Sequence, residues 1–81
     1  MKVHFLKIEP QYFEAVLDGS KKAELRLNDR GFEVGDGVVL SEHSGEATGR
    51  IIKVQITHIV ELKYFIPEAK EWVMFSFEVI E

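Results

Sequence analysis

The 81-residue chain has no cysteine. Disulfide and thiolate chemistry are therefore closed to it. A zinc site would fall to His4, His43 and His58, whose spacing is not that of a ligand set, so no metal and no cofactor is expected. No stretch reaches the roughly 18 consecutive apolar residues of a membrane span. Residues 1–8 do not read as a leader either, because Lys2, His4 and Lys7 interrupt their apolar run. The expectation is a soluble, cytoplasmic protein without a membrane partner. Positive charge is also in short supply: 10 Lys+Arg against 14 Asp+Glu give a net charge of −4. That balance excludes a protein that coats duplex DNA by net charge. It leaves room for a local cationic cleft on an acidic body. There is no P-loop, dinucleotide fingerprint or nucleophile elbow, and Ser20, Ser41, Ser44 and Ser76 stand in no nucleophile pattern.

What is present reads as one domain, residues 1–81. A chain this short buries only roughly 60% of its unfolded surface, so its core is thin. Residues 3–8 alternate as a strand, with Val3, Phe5 and Lys7 on one face and His4, Leu6 and Ile8 on the other. Pro10 suits a first helical turn, Tyr12, Phe13, Val16 and Leu17 recur at helical spacing, and Gly19 stands where a left-handed cap is wanted. A short amphipathic helix is predicted over 10–18. The period then changes to two: Ala23, Leu25 and Leu27 alternate with Lys22, Glu24, Arg26 and Asn28. Turns are predicted at 27–31 and 34–37, with Asp29 capping the first. Further strands are predicted over 38–42, 50–60 and 72–80, with one helical turn inside 63–71. Ile52, Val54, Ile56, His58 and Val60 are placed on one face of the long strand. His4 and His58 are read as packed histidines, and Phe5, Phe13, Phe75 and Phe77 as core. With no strand–helix–strand repeat, a parallel sheet is not expected. The fold class is α+β, mostly β: a small antiparallel barrel of about five strands with one helix after the first strand.

Charge is distributed unevenly. Over residues 19–30, Lys21, Lys22, Arg26 and Arg30 oppose Glu24 and Asp29, a local balance of +2 in a chain of −4. Lys22, Glu24, Arg26 and Asn28 share one strand face. Two readings stand open: a solvated ion-pair ladder, of small energetic value, or a recognition face. An Arg offers a planar fork for phosphate or a base edge. A neighbouring Glu either holds that fork or accepts from an exocyclic amine. Lys7 either snorkels to the barrel rim or enters a cleft. Arg30 either pairs with Asp36 or Glu33, or lines the cleft mouth. Tyr64 and Trp72 are the candidates for a base-stacking wall, with packing as the alternative.

These residues carry a resemblance. Gly19-Ser20-Lys21-Lys22-Ala23-Glu24-Leu25-Arg26 is similar to the Gly-x-Lys-x-x-Glu-x-Arg signature of ASCH domains, the activating-signal-cointegrator homology group of PUA-like barrels. His4-x-Leu6-Lys7-Ile8-x-Pro10-x-Tyr12-Phe13-x-x-Val16-x-x-Gly19, then Asn28-Asp29-Arg30-x-Phe32-x-Val34-Gly35-Asp36 and Thr48-Gly49-Arg50, resemble the DUF3850 branch of small bacterial and phage ASCH-like proteins. The first 36 residues carry most of the likeness; segment 63–71 is shorter than the branch suggests.

The resemblance implies a PUA-like barrel with a cleft beside the first helix, and RNA or a nucleotide or nucleoside as partner. The candidate binding residues are Lys7, Lys21, Glu24, Arg26 and Arg30. An enzymatic branch of the group hydrolyses N4-acylated cytidines with the motif lysine, a hydroxyl residue and a carboxylate. Here the lysine matches Lys21, and Glu24 stands where the threonine is expected. An amidohydrolase using Lys21 and Glu24 is therefore the alternative, with an incomplete set. A second alternative is a protein-interaction module presenting Tyr64, Phe65, Ile66 and Trp72.

Overall fold

Alternation in the sequence becomes sidedness in the sheet. The structure, a computed structural model, describes residues 1–80. It contains β1 (Val3–Ile8), α1 (Pro10–Leu17), β2 (Ala23–Leu27), β3 (Gly37–Ser44), β4 (Glu46–Glu61) and β5 (Trp72–Val79), with 3-10 turns at Leu62–Tyr64 and Pro67–Ala69 before β5. The strands form one five-stranded sheet in the order β1-β3-β4-β5-β2, which curls into a half-barrel. β3–β4, β4–β5 and β2–β5 pair antiparallel. β1 and β3 pair in parallel, so the sheet is mixed, with antiparallel pairing predominating as expected. The crossover between them runs through α1 and β2 and the turn after it, so it is long enough to permit parallel pairing without a repeated strand–helix–strand unit.

The core lies on the concave side. Leu6 and Ile8 of β1, Val38 and Leu40 of β3, Ile52, Val54 and Ile56 of β4, and Val73, Phe75 and Phe77 of β5 are all buried. Phe13 and Val16 dock α1 onto this layer, and Phe32 fills the gap between His4 and Phe75. β1 therefore buries its His4/Leu6/Ile8 face. Phe5, expected in the core, lies on the opposite face and is exposed. A register shift between Ile56 and His58 changes which side of β4 faces inward. His58, expected to be packed on the Ile52/Val54/Ile56 face, is consequently exposed, and Ile59 packs against the core instead.

The helix ends as its residues demand. Gly19 adopts φ +84 just after the C-cap Asp18, a conformation costly for any residue with a Cβ. The Lys21 amide then donates to the Ala15 carbonyl, turning the chain directly into β2. The turn 27–31 is capped by Asn28 rather than Asp29: the Phe32 amide donates to Asn28 Oδ1 at 2.9 Å. Asp36 is a turn residue that is also buried. It accepts from His4 Nε2 at 2.8 Å and from the Lys2 and Glu33 amides. This leaves Asp36 no part in holding Arg30.

Candidate functional site beside the first helix

β2 sits at one end of the sheet order and β1 at the other. The two edges face each other across a seam with no backbone ladder between them. Two guanidinium groups span it. Arg26 Nη2 donates to the Lys7 carbonyl at 2.6 Å, and Arg30 Nη1 donates to the Phe5 carbonyl at 2.8 Å. Arg30 lies 3.8 Å from Asp29, not from Asp36 or Glu33 as one reading of the sequence had it.

β2 is inverted relative to an ordinary edge strand. Leu25 and Leu27 point outward and are about half exposed, while Glu24 is only 7% exposed. A buried carboxylate needs partners, since desolvating an unpaired charge is costly. Glu24 has two. Lys21 Nζ lies 2.9 Å from Oε1, and Arg26 donates from Nε at 2.8 Å and from Nη2 at 2.7 Å to Oε2. The solvated-ladder reading of this face therefore fails for Glu24 and Arg26. Both Glu24 oxygens are engaged, so Glu24 holds the two cations in place. Lys21 also donates to the Ala23 carbonyl at 2.8 Å and stands over the Tyr12 ring. Lys22, expected on the same strand face, lies just before β2 and is exposed.

These groups line a cleft of about 450 Å³ between the end of β1, α1 and β2. Lys7, Lys21, Glu24 and Arg26 share it with Glu9 and Tyr12. Three cations against two carboxylates leave a formal +1 on a chain of −4. Lys7 is exposed and its ammonium has no partner among the described residues. Arg30 lines the adjoining seam cavity, which Arg26 also borders. The structure thus brings four of the five candidates into one cleft and the fifth next to it.

Another hollow, of about 310 Å³, lies where β2 and β4 end and β5 begins, and its charged lining is Asp29, Glu61 and Glu71 with Lys70. Its excess of carboxylates disfavours an anion. No serine or threonine lines the α1 cleft among the described residues, so the acylcytidine set stays incomplete there. Among the described residues no group of three His, Asp or Glu converges to hold a metal. No described helix is long and apolar enough to cross a membrane. Tyr64, Phe65 and Ile66 are exposed at the junction of the two 3-10 turns, outside the cleft lining.

Sequence reasoning missed a third buried carboxylate. Glu42 accepts from Thr48 Oγ1 at 2.7 Å and faces Arg50, which also pairs with Glu14 and stacks over Phe13. The Thr48-Gly49-Arg50 motif thus ties α1 to the β3–β4 hairpin. The alternation of β3, with Glu42 in phase with Val38 and Leu40, was its available signal.

Comparison with known proteins settles the kinship. The pattern described as "Domain of unknown function (DUF3850)" matches residues 3–77. The chain belongs to the DUF3850 family. This DUF3850 protein is similar to the "Uncharacterized 12.9 kDa protein in GpA 3'region" of Escherichia phage P2, at 38% identity over 68 residues and 83% of the chain. It spans 62% of that curated relative's length. Its fold resembles the crystal structure of hypothetical protein PH0355, with a TM-score of 0.68, 18% identity, and coverage of 96% of this chain and 99% of that one. It also resembles the solution NMR structure of protein PF0455 from Pyrococcus furiosus, with a TM-score of 0.52, 18% identity and 98% coverage of both chains. At such identities these likenesses concern the fold alone.

Proposed function

We propose that this DUF3850 protein is an ASCH-type, PUA-like module of the cytoplasm that binds RNA or a nucleotide in the cleft beside α1. The observation that carries the reading is the Glu24 clamp. A carboxylate buried at the cleft wall fixes Lys21 and Arg26 before any ligand arrives, and Lys7 stands uncommitted beside them. Pre-oriented cations around a cavity in an acidic body favour a compact anionic ligand over a long phosphate coat. The resemblance to ASCH domains, mostly held to bind RNA, points the same way. In this reading Arg26 and Lys7 meet phosphate, Lys21 adds a positioned charge, Glu24 orients, and Arg30 guards the rim.

Two variants test the assignment in a binding titration with short single-stranded RNA. Lys7→Ala removes a cation that has no described intramolecular partner. It is expected to weaken binding roughly tenfold, the weight of one charged hydrogen bond, with an unchanged melting temperature. Arg26→Gln is expected to weaken binding by roughly ten- to a hundredfold on the same scale. Wild-type affinity in both folded variants would remove the cleft from consideration.

A further inference from the structure

We propose that the cleft beside α1 is one of two adjoining subsites, and that the ligand is two consecutive unpaired nucleotides of a strand. This rests on the reading above that the cleft takes RNA or a nucleotide. The second subsite is a cavity of about 290 Å³ in the seam between β1 and β2. Leu6 and Phe32, both buried, give it an apolar floor. Leu27 and Trp72, cross-strand partners on the outer faces of β2 and β5, form its wall. Arg26 and Arg30 stand at its mouth. Arg26 lines the α1 cleft as well, so one guanidinium borders both cavities.

Size and chemistry divide the work. Ligand pockets commonly run from about 300 to 1,000 Å³. Cavities of about 450 and 290 Å³ are at the small end, each suited to a fragment of a strand. The α1 cleft is polar and fixed by Glu24, whereas the seam joins an indole to two guanidiniums. Trp72 remains 38% exposed, leaving part of its ring open for stacking. The bonds that Arg26 and Arg30 make to Glu24, Lys7 and Phe5 leave Nη1 of Arg26 and Nη2 of Arg30 without a partner among the described residues. A phosphodiester on the shared Arg26 connects a nucleotide in the α1 cleft to a base against Trp72. Asp29, 3.8 Å from Arg30, opposes an anion on the outer side and favours placing it toward Arg26.

Trp72 is the only tryptophan, so its emission reports the seam directly. The test titrates the whole chain with 5′-AMP and with the 5′-phosphorylated dinucleotide pApA, followed by fluorescence and calorimetry. AMP is expected to bind without altering Trp72 emission. The dinucleotide pApA is expected to quench it and to bind at least roughly tenfold tighter, the weight of one stacked base. Trp72→Leu and, as a second variant, Arg30→Gln are each expected to erase most of that advantage. AMP binding with no gain and no quenching from pApA would overturn the two-subsite proposal and leave the cleft reading standing. Quenching by AMP as strong as by pApA would also overturn it. No heat and no quenching from either ligand would overturn both.

Discussion

Glu24 and Asp36 are both buried carboxylates, yet they do different things. Glu24 faces a cavity and gathers side-chain cations. Asp36 faces the interior and ties the chain's start to the turn before β3, accepting from His4 and from the Lys2 and Glu33 amides. Burial pushes the Asp36 carboxyl up, but the hydrogen bond from His4, the two amide bonds and the His4 charge together outweigh it and hold the pKa below the usual 3.8. A depressed folded-state value means that Asp36 contributes stability in full above about pH 4, and that this is lost as pH falls from there toward the folded-state value. Asp36→Asn is therefore expected to lower stability at neutral pH and to flatten its decline below about pH 4. Urea denaturation from pH 3 to 6 checks this; an equally steep acid decline in the variant would show that other groups govern it. The turn at Gly35-Asp36 was legible in the residues. Its burial was not, because the partner His4 lies 32 positions away.

At the scale of elements, β2 teaches most. Its alternation correctly grouped Glu24 with Arg26, and nothing in a period of two says which face turns inward. The choice follows from location: β2 ends the sheet, its inner face opens on the α1 cleft, and Lys21 and Arg26 satisfy the buried carboxylate. The helix, its glycine cap and the five strands could be read locally. The parallel β1–β3 pair and the β4 register shift could not, since both are set by long-range pairing. The seam offers an element-scale prediction. Arg30 supplies a charged donor to the Phe5 carbonyl in place of a neighbouring strand. Arg30→Ala is expected to cost about 1 kcal/mol, the low end for a charged hydrogen bond because the group is half exposed. Amide exchange is expected to quicken in β1 while the β3–β4 hairpin stays protected. Unchanged protection of β1 would mean that the guanidinium does not hold the seam.

For the molecule as a whole, the local charge inversion of residues 19–30 was the most informative property of the sequence, and folding concentrates it. Lys21 and Arg26 converge on Glu24, Lys7 joins from β1, and Arg30 stands one cavity away. The acidic remainder limits nonspecific attraction to nucleic acid, so binding is expected to be confined to this face. The most direct test is the anisotropy of a labelled single-stranded RNA, read against protein concentration at about 50 and 200 mM salt. With about three phosphate contacts on a single strand, the logarithmic slope is expected to be about −2, and affinity falls roughly tenfold or somewhat more between the two conditions. That outcome marks a cationic cleft occupied by phosphates. A folded protein that binds at neither salt, or that binds equally at both, would contradict it.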